Sequence, residues 1–140
     1  MSEHRFEFIE HTADIGVEAE GATMAEAFES AAYGMFSVMA EIGGVKPTRH
    51  IDVRVEGEDV ESLLRAWLSE LIFHLDAHRV LPVEFKIEEV TDTLLLAKVG
   101  VCPAGPDIEW SGPAIKAVTY HQLAVEQTEE GWKVRVIFDV

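Results

Sequence analysis

The sequence predicts an α+β fold: a two-layer sandwich in which a mostly antiparallel sheet is backed by two amphipathic helices. Two observations carry that prediction. Apolar residues recur at helical spacing in only two stretches, Met24 to Val38 and Val60 to Leu75. Nearly everywhere else they alternate with polar residues at the period of a half-buried strand. The length agrees, since 140 residues, 48% of them hydrophobic, amount to one ordinary domain over residues 1–140. A chain of that size buries enough surface to fold without a disulfide or a metal.

The elements follow in order. Phe6 and Phe8 alternate with Arg5 and Glu7, and Val17 and Ala19 with Glu18 and Glu20, giving two opening strands. Between them the segment HTADIG, His11 to Gly16, interrupts the alternation and reads as an irregular link, where Asp14 could close an Asx-turn. Thr23 to Glu26 form a capping box that starts the first helix, whose face is Met24, Phe28, Ala31, Met35 and Val38; Gly43-Gly44 is its expected end. Ile51, Val53 and Val55 alternate in the next strand. Asp59 then caps the second helix, with the stripe Val60, Leu63, Leu64, Trp67, Leu68, Leu71, Ile72 and Leu75 and with Pro82 beyond its end. Strands are expected around Val83 to Glu88 and from Leu94 to Val101, followed by a Pro- and Gly-rich loop from Cys102 to Pro113. Two long strands, Ile115 to Gln127 and Trp132 to Val140, join through Glu129-Glu130-Gly131.

Composition narrows the function. Eleven Lys and Arg against 26 Asp and Glu leave a net charge of −15. A phosphate backbone, which is bound by Lys and Arg, would repel such a domain, so tight direct nucleic-acid binding is not expected. A basic protein surface or a cation fits the sign. One cysteine, Cys102, permits no internal disulfide, and no apolar run is long enough to span a bilayer; the expectation is a cytoplasmic protein with no membrane attachment. No GxGxxG, Walker or G-x-S-x-G motif occurs.

Several residues break the local pattern. On the predicted strand from Ile115, Thr119 and His121 fall on a face that otherwise reads as core. A histidine there is ordinarily a satisfied core residue, the other reading being a ligand or acid–base group. At the far end the alternation runs to the last residue, so with Val140 as the terminus Asp139 and the α-carboxylate place two anions within one residue. They are either solvated at a sheet edge or joined by a cation. His11, Thr12 and Asp14 could present polar atoms to one site. His74 and His78, four apart on the second helix, have a zinc-compatible spacing but lack the Glu of HExxH and an evident third ligand.

Taken together, HTADIG, AFESAAYGMF, LLRAWLSELIF, IKAVTYH and the terminal VIFDV, in this order and over most of the chain, resemble the archease family. The resemblance implies a small acidic α/β protein that serves as a protein cofactor of the RtcB-type RNA ligase of tRNA splicing and RNA repair. In that role it promotes guanylylation of the ligase's own histidine with GTP and sustains multiple turnover, and is not itself an enzyme. It also implies a link, for some members, to a tRNA methyltransferase protected from aggregation by a chaperone-like action. Carried over residue by residue, the family's metal site falls on Asp14, Asp139 and Val140. Such hard oxygen ligands suit Ca²⁺ first, with Mg²⁺ or Mn²⁺ as alternatives. His11, Lys116, Thr119 and His121 match the family's motifs as supporting residues. The chain departs where many members carry Gly-Glu: it has Gly100-Val101, followed by the atypical loop CPAGPDIEWSGP. Two readings of other classes stand beside this one: a general chaperone or adaptor for RNA-modifying enzymes, and a small metal-dependent enzyme using Asp14, Asp139 and His121.

Overall fold

The computed structural model describes residues 4–11 and 14–140, the side chains of residues 10 and 11 excepted. Its elements are β1 (Arg5–His11), β2 (Asp14–Gly21), α1 (Met24–Met39), β3 (Arg49–Glu56), α2 (Val60–His78), β4 (Val80–Val90), β5 (Leu94–Pro103), β6 (Ala117–Val118), β7 (Ala124–Thr128) and β8 (Gly131–Asp139). The fold is α+β, an open sandwich of antiparallel sheets backed by two helices. The strands divide into two sheets where the sequence suggests one. The larger runs β1-β2-β8-β6, with β7 also paired to β8, and the smaller runs β3-β5-β4.

The two helices serve both sheets, which explains how short strands share one core. Helix α1 packs on β1, β2 and β8 of the larger sheet and on β4 of the smaller; α2 packs on β3, β4 and β5 and reaches β6 and β7. Helix α1 is therefore buried well beyond a single stripe, with Ala27, Ala32 and Phe36 inside as well as the predicted Phe28 and Met35. Trp67 of α2 is fully buried and donates its indole N–H to the Phe28 carbonyl at 3.0 Å. Its ring meets Phe85 of β4 edge-on at 6.4 Å, and Phe36 stacks on the Phe85 ring at 6.0 Å. Aromatic pairs of this kind add about 0.5–1.5 kcal/mol to the burial itself.

Both predicted N-caps are present. The Thr23 hydroxyl accepts from Glu26 N at 3.1 Å, and Glu26 reaches back to Ala22 N rather than to the cap residue. Asp59 and Ser62 form a reciprocal capping box at the start of α2, which lowers the Asp59 pKa through the Ser62 backbone and side-chain bonds.

Three expectations are corrected. Asp14, Ile15 and Gly16 are not an irregular link but the first residues of β2, paired to β8. Helix α1 ends at Met39, not at the glycine pair, because Ala40 turns extended and bridges to Trp110 of the Pro- and Gly-rich loop. That loop is pinned on the helix end by Ser111 N and Gly112 N, both donating to the Met39 carbonyl. A Cβ on Gly112 would fall 1.8 Å from the Val38 carbonyl oxygen, so the close approach requires glycine.

The largest correction concerns the strand expected from Ile115 to Gln127. Only Ala117–Val118 and Ala124–Thr128 are strand, because both pair with β8 and the chain between them is too long for the span it must cover. Val118 lies opposite Phe138 and Ala124 opposite Arg135, so six steps of this segment face three of β8. The excess is thrown out as a corner over Thr119–Leu123, closed by Leu123 N to the Tyr120 carbonyl at 3.3 Å and by Gln122 at φ 53°. His121 accordingly lies exposed on that corner, not on a core face.

Candidate functional site

The larger sheet ends in a row of like charges. Strands β2 and β8 place Asp14 opposite Asp139, Gly16 opposite Ile137, Glu18 opposite Arg135 and Glu20 opposite Lys133. Directly opposed residues share a face, and since Val17 and Val136 are core, these four pairs lie on the other face. Down that face the charges are matched. Arg135 donates to Glu18 Oε2 from Nη2 at 2.8 Å and from Nε at 3.1 Å. Lys133 Nζ lies 3.8 Å from the same oxygen, and Arg5 reaches Glu20 at 3.2 Å. The terminal row, Asp14 and Asp139, breaks the pattern. Like charges directly opposed cost roughly 0.2–1 kcal/mol, and a cation between them would remove that cost.

Gly16 supports the row from below. A Cβ there would meet Ile137 Cδ1 at 2.6 Å and the Val136 carbonyl oxygen at 3.0 Å. With glycine, Ile137 folds down to 1% exposure and forms an apolar step beneath the acids. Asp139 itself is exposed, while Asp14 and Val140 are half-buried.

The predicted site residues are placed as follows. Asp14 and Asp139 are brought face to face, with Val140 next in chain. Lys116 adjoins them through its main chain, donating to the Asp139 carbonyl at 2.8 Å, and Ala117 pairs with Asp139. His11 is opposite Asp14 in the β1–β2 register, but its side chain lies outside the described residues, as does Thr12. Thr119 ties strands together: its hydroxyl donates to the Ile137 carbonyl at 2.9 Å and accepts from His121 N at 3.2 Å. His121 is displaced onto the exposed corner.

The oxygen donors fit a hard divalent cation in kind. Among the described residues no group of three His, Cys, Asp or Glu side chains is assembled, so ligands beyond the two carboxylates would be main-chain or terminal oxygens, water or a partner. His74 and His78 make no such group either; His74 Nε2 is 3.2 Å from Glu70 and its ring lies 5.3 Å from that of His78. Burial pushes the Cys102 thiol up, the wrong direction for a nucleophile.

Sequence reasoning missed two residues at this edge. The Arg65 guanidinium of α2 lies 4.4 Å from the centroid of the Tyr120 ring and donates through Nε to the Val118 carbonyl at 3.0 Å. Residues 55 apart in sequence leave no local signal of such a contact; it follows from α2 lying over β6.

Comparison with known proteins gives a consistent result. The model of the Archease protein family matches residues 6–140. The chain is 36% identical to the protein archease of Methanosarcina acetivorans over 97% of this chain and 96% of that one. It is also 36% identical to that of Thermococcus gammatolerans, over 97% and 99%. Among solved structures it resembles protein 1598 of Methanobacterium thermoautotrophicum, with TM-score 0.77 and 35% identity, covering 96% of this chain and 98% of that one. It also resembles an archease of Thermotoga maritima described as a possible chaperone, with TM-score 0.66 and 25% identity, covering 99% and 100%. No helix among the described residues is long and apolar enough to cross a membrane.

Proposed function

The chain belongs to the archease family, and from that premise we propose that it is a protein activator of an RtcB-type RNA ligase, promoting guanylylation with GTP and multiple turnover. The observation that carries this reading is the opposed pair Asp14 and Asp139 at a strand end, with no countercharge among the described residues, on a face whose other acidic rows, Glu18 with Arg135 and Glu20 with Lys133, set an acid against a base. Asp14, Asp139 and the Val140 oxygens would hold a divalent ion, Ca²⁺ before Mg²⁺ or Mn²⁺, which when bound supplies positive charge at this anionic end. The chain's own contribution is to fix both carboxylates by strand pairing and to dock. A docked activator must favour one state of the ligase over another, and binding energy spent on the guanylylation-competent state does so. The net charge of −15 suits steering onto a basic RNA-binding enzyme.

The test is multiple-turnover RNA ligation by the cognate ligase with and without this protein. Stimulation at substoichiometric or equimoles of chain supports the reading; a folded chain that leaves turnover unchanged contradicts it. A chaperone role is the second reading, favoured by the likeness to the Thermotoga maritima archease, a possible chaperone. It predicts protection of a tRNA methyltransferase from aggregation that is indifferent to Asp139. A small metal-dependent enzyme would turn over substrate with no partner present.

A further inference from the structure

Tyr120 is 65% exposed, more than any other large hydrophobic side chain among the described residues. Single exposed aromatics are common, and exposure alone says little. What distinguishes this one is how it is held. Arg65 lies under the ring at 4.4 Å from its centroid, and the same guanidinium donates to the Val118 carbonyl at 3.0 Å and to the Tyr120 hydroxyl at 3.4 Å. On one side of the ring, Thr119 is fastened to β8 through the Ile137 carbonyl by both its N–H at 3.0 Å and its hydroxyl at 2.9 Å. On the other, Gln122, at positive φ, accepts from Arg135 Nη1 at 2.7 Å. Arg135 is itself anchored on Glu18.

The joint effect of these bonds is to present an aromatic ring to solvent on a half-buried guanidinium in one arrangement, so that less conformational entropy remains to be lost when a partner covers it. Tyr and Arg are the residue types most often found at the centre of protein interfaces. The location adds a second argument. The corner begins two residues after Ala117, which pairs with Asp139, so it follows the acid pair along the same flank of β8.

We infer that the Tyr120–Arg65 corner is the anchor by which this chain seats its protein partner beside the acid pair. The matching surface is an apolar socket that accepts the phenol ring, with a carboxylate or carbonyl oxygen at its rim for the guanidinium. The inference rests on the activator reading. It divides the labour: the anchor sets affinity, and the acids set what happens after docking.

The experiment titrates wild type, Tyr120→Ala, Tyr120→Phe and Asp139→Ala into ligation assays with the cognate ligase, and measures binding of each to the ligase directly. Tyr120→Ala should raise the half-saturating concentration and the Kd at least about tenfold, while the plateau of stimulation stays at the wild-type level. Tyr120→Phe, which keeps the ring, should lie close to wild type. Asp139→Ala should lower the plateau with affinity changed much less. Thermal unfolding of each variant checks the fold. If Tyr120→Ala binds and half-saturates as wild type does, the inference is overturned while the activator reading stands. If wild type neither binds nor stimulates the ligase, the activator reading falls and takes the inference with it.

Discussion

At the scale of single residues, the proposed site rests on two aspartates that the fold sets against each other. Asp14 and Asp139 are far apart in sequence and directly opposed in the β2–β8 register, on the same face as the matched pair Glu18 and Arg135. Removing either charge relieves an unfavourable contact, so Asp139→Ala should leave the ion-free protein as stable as wild type or more stable by up to about 1 kcal/mol. Calcium added to the chain alone should raise the Tm of wild type through linkage and leave Asp14→Ala and Asp139→Ala unmoved. Differential scanning of the three proteins with and without Ca²⁺ checks this, and equal shifts in all three would place the ion elsewhere. The apposition of the two aspartates was only partly legible in the sequence. Asp139 stood out because the alternation ran to the end of the chain, but Asp14 read as a turn residue, since nothing local announces that a strand resumes immediately after the link. Their apposition belongs to the register, which is set by Val17, Ala19, Val134 and Val136 entering the core together.

At the scale of elements, the helices were legible at their N-termini because capping is local chemistry, through Thr23 with Glu26 and through Asp59, whose box partner Ser62 the structure adds. Strand limits were less so. The segment from Ile115 to Gln127 alternates as one strand, yet it splits because its partner offers only three steps for its six, a fact of pairing invisible in the segment itself. Coupling between elements also escapes the sequence. Glu29 on α1 accepts from Ile87 N at 2.7 Å, at the irregularity in β4 between Ile87 and Glu89. Burial raises its pKa above the ordinary 4.5, opposed by the Ile87 bond, assisted by Glu26 and opposed again by Lys86. A carboxyl whose folded pKa is raised binds its proton more tightly in the native state, so its contribution falls as pH rises from about 4.5 through the folded value. Glu29→Gln keeps an acceptor for Ile87 and cannot ionise. Its stability relative to wild type should therefore rise between pH 4 and pH 7, as read by urea unfolding. A difference independent of pH would show that Glu29 titrates normally.

At the scale of the whole molecule, an α+β frame of two sheets sharing two helices carries a strong negative charge and presents on the larger sheet a carboxylate pair at the ends of β2 and β8 and an aromatic corner between β6 and β7. Such a body is drawn to a basic partner from a distance and oriented by contacts at close range. Raising salt from about 50 to 300 mM shortens the Debye length by a factor of about 2.4. The association rate with the ligase should fall accordingly, with dissociation much less affected; rates insensitive to salt in stopped-flow mixing would remove charge steering from the account. The most direct measurement of the central claim is multiple-turnover RNA ligation by the cognate RtcB-type ligase at saturating wild-type chain or saturating, folded Asp139→Ala. The account predicts full stimulation by wild type and loss of nearly all of it with the variant. Equal stimulation by both proteins would contradict it.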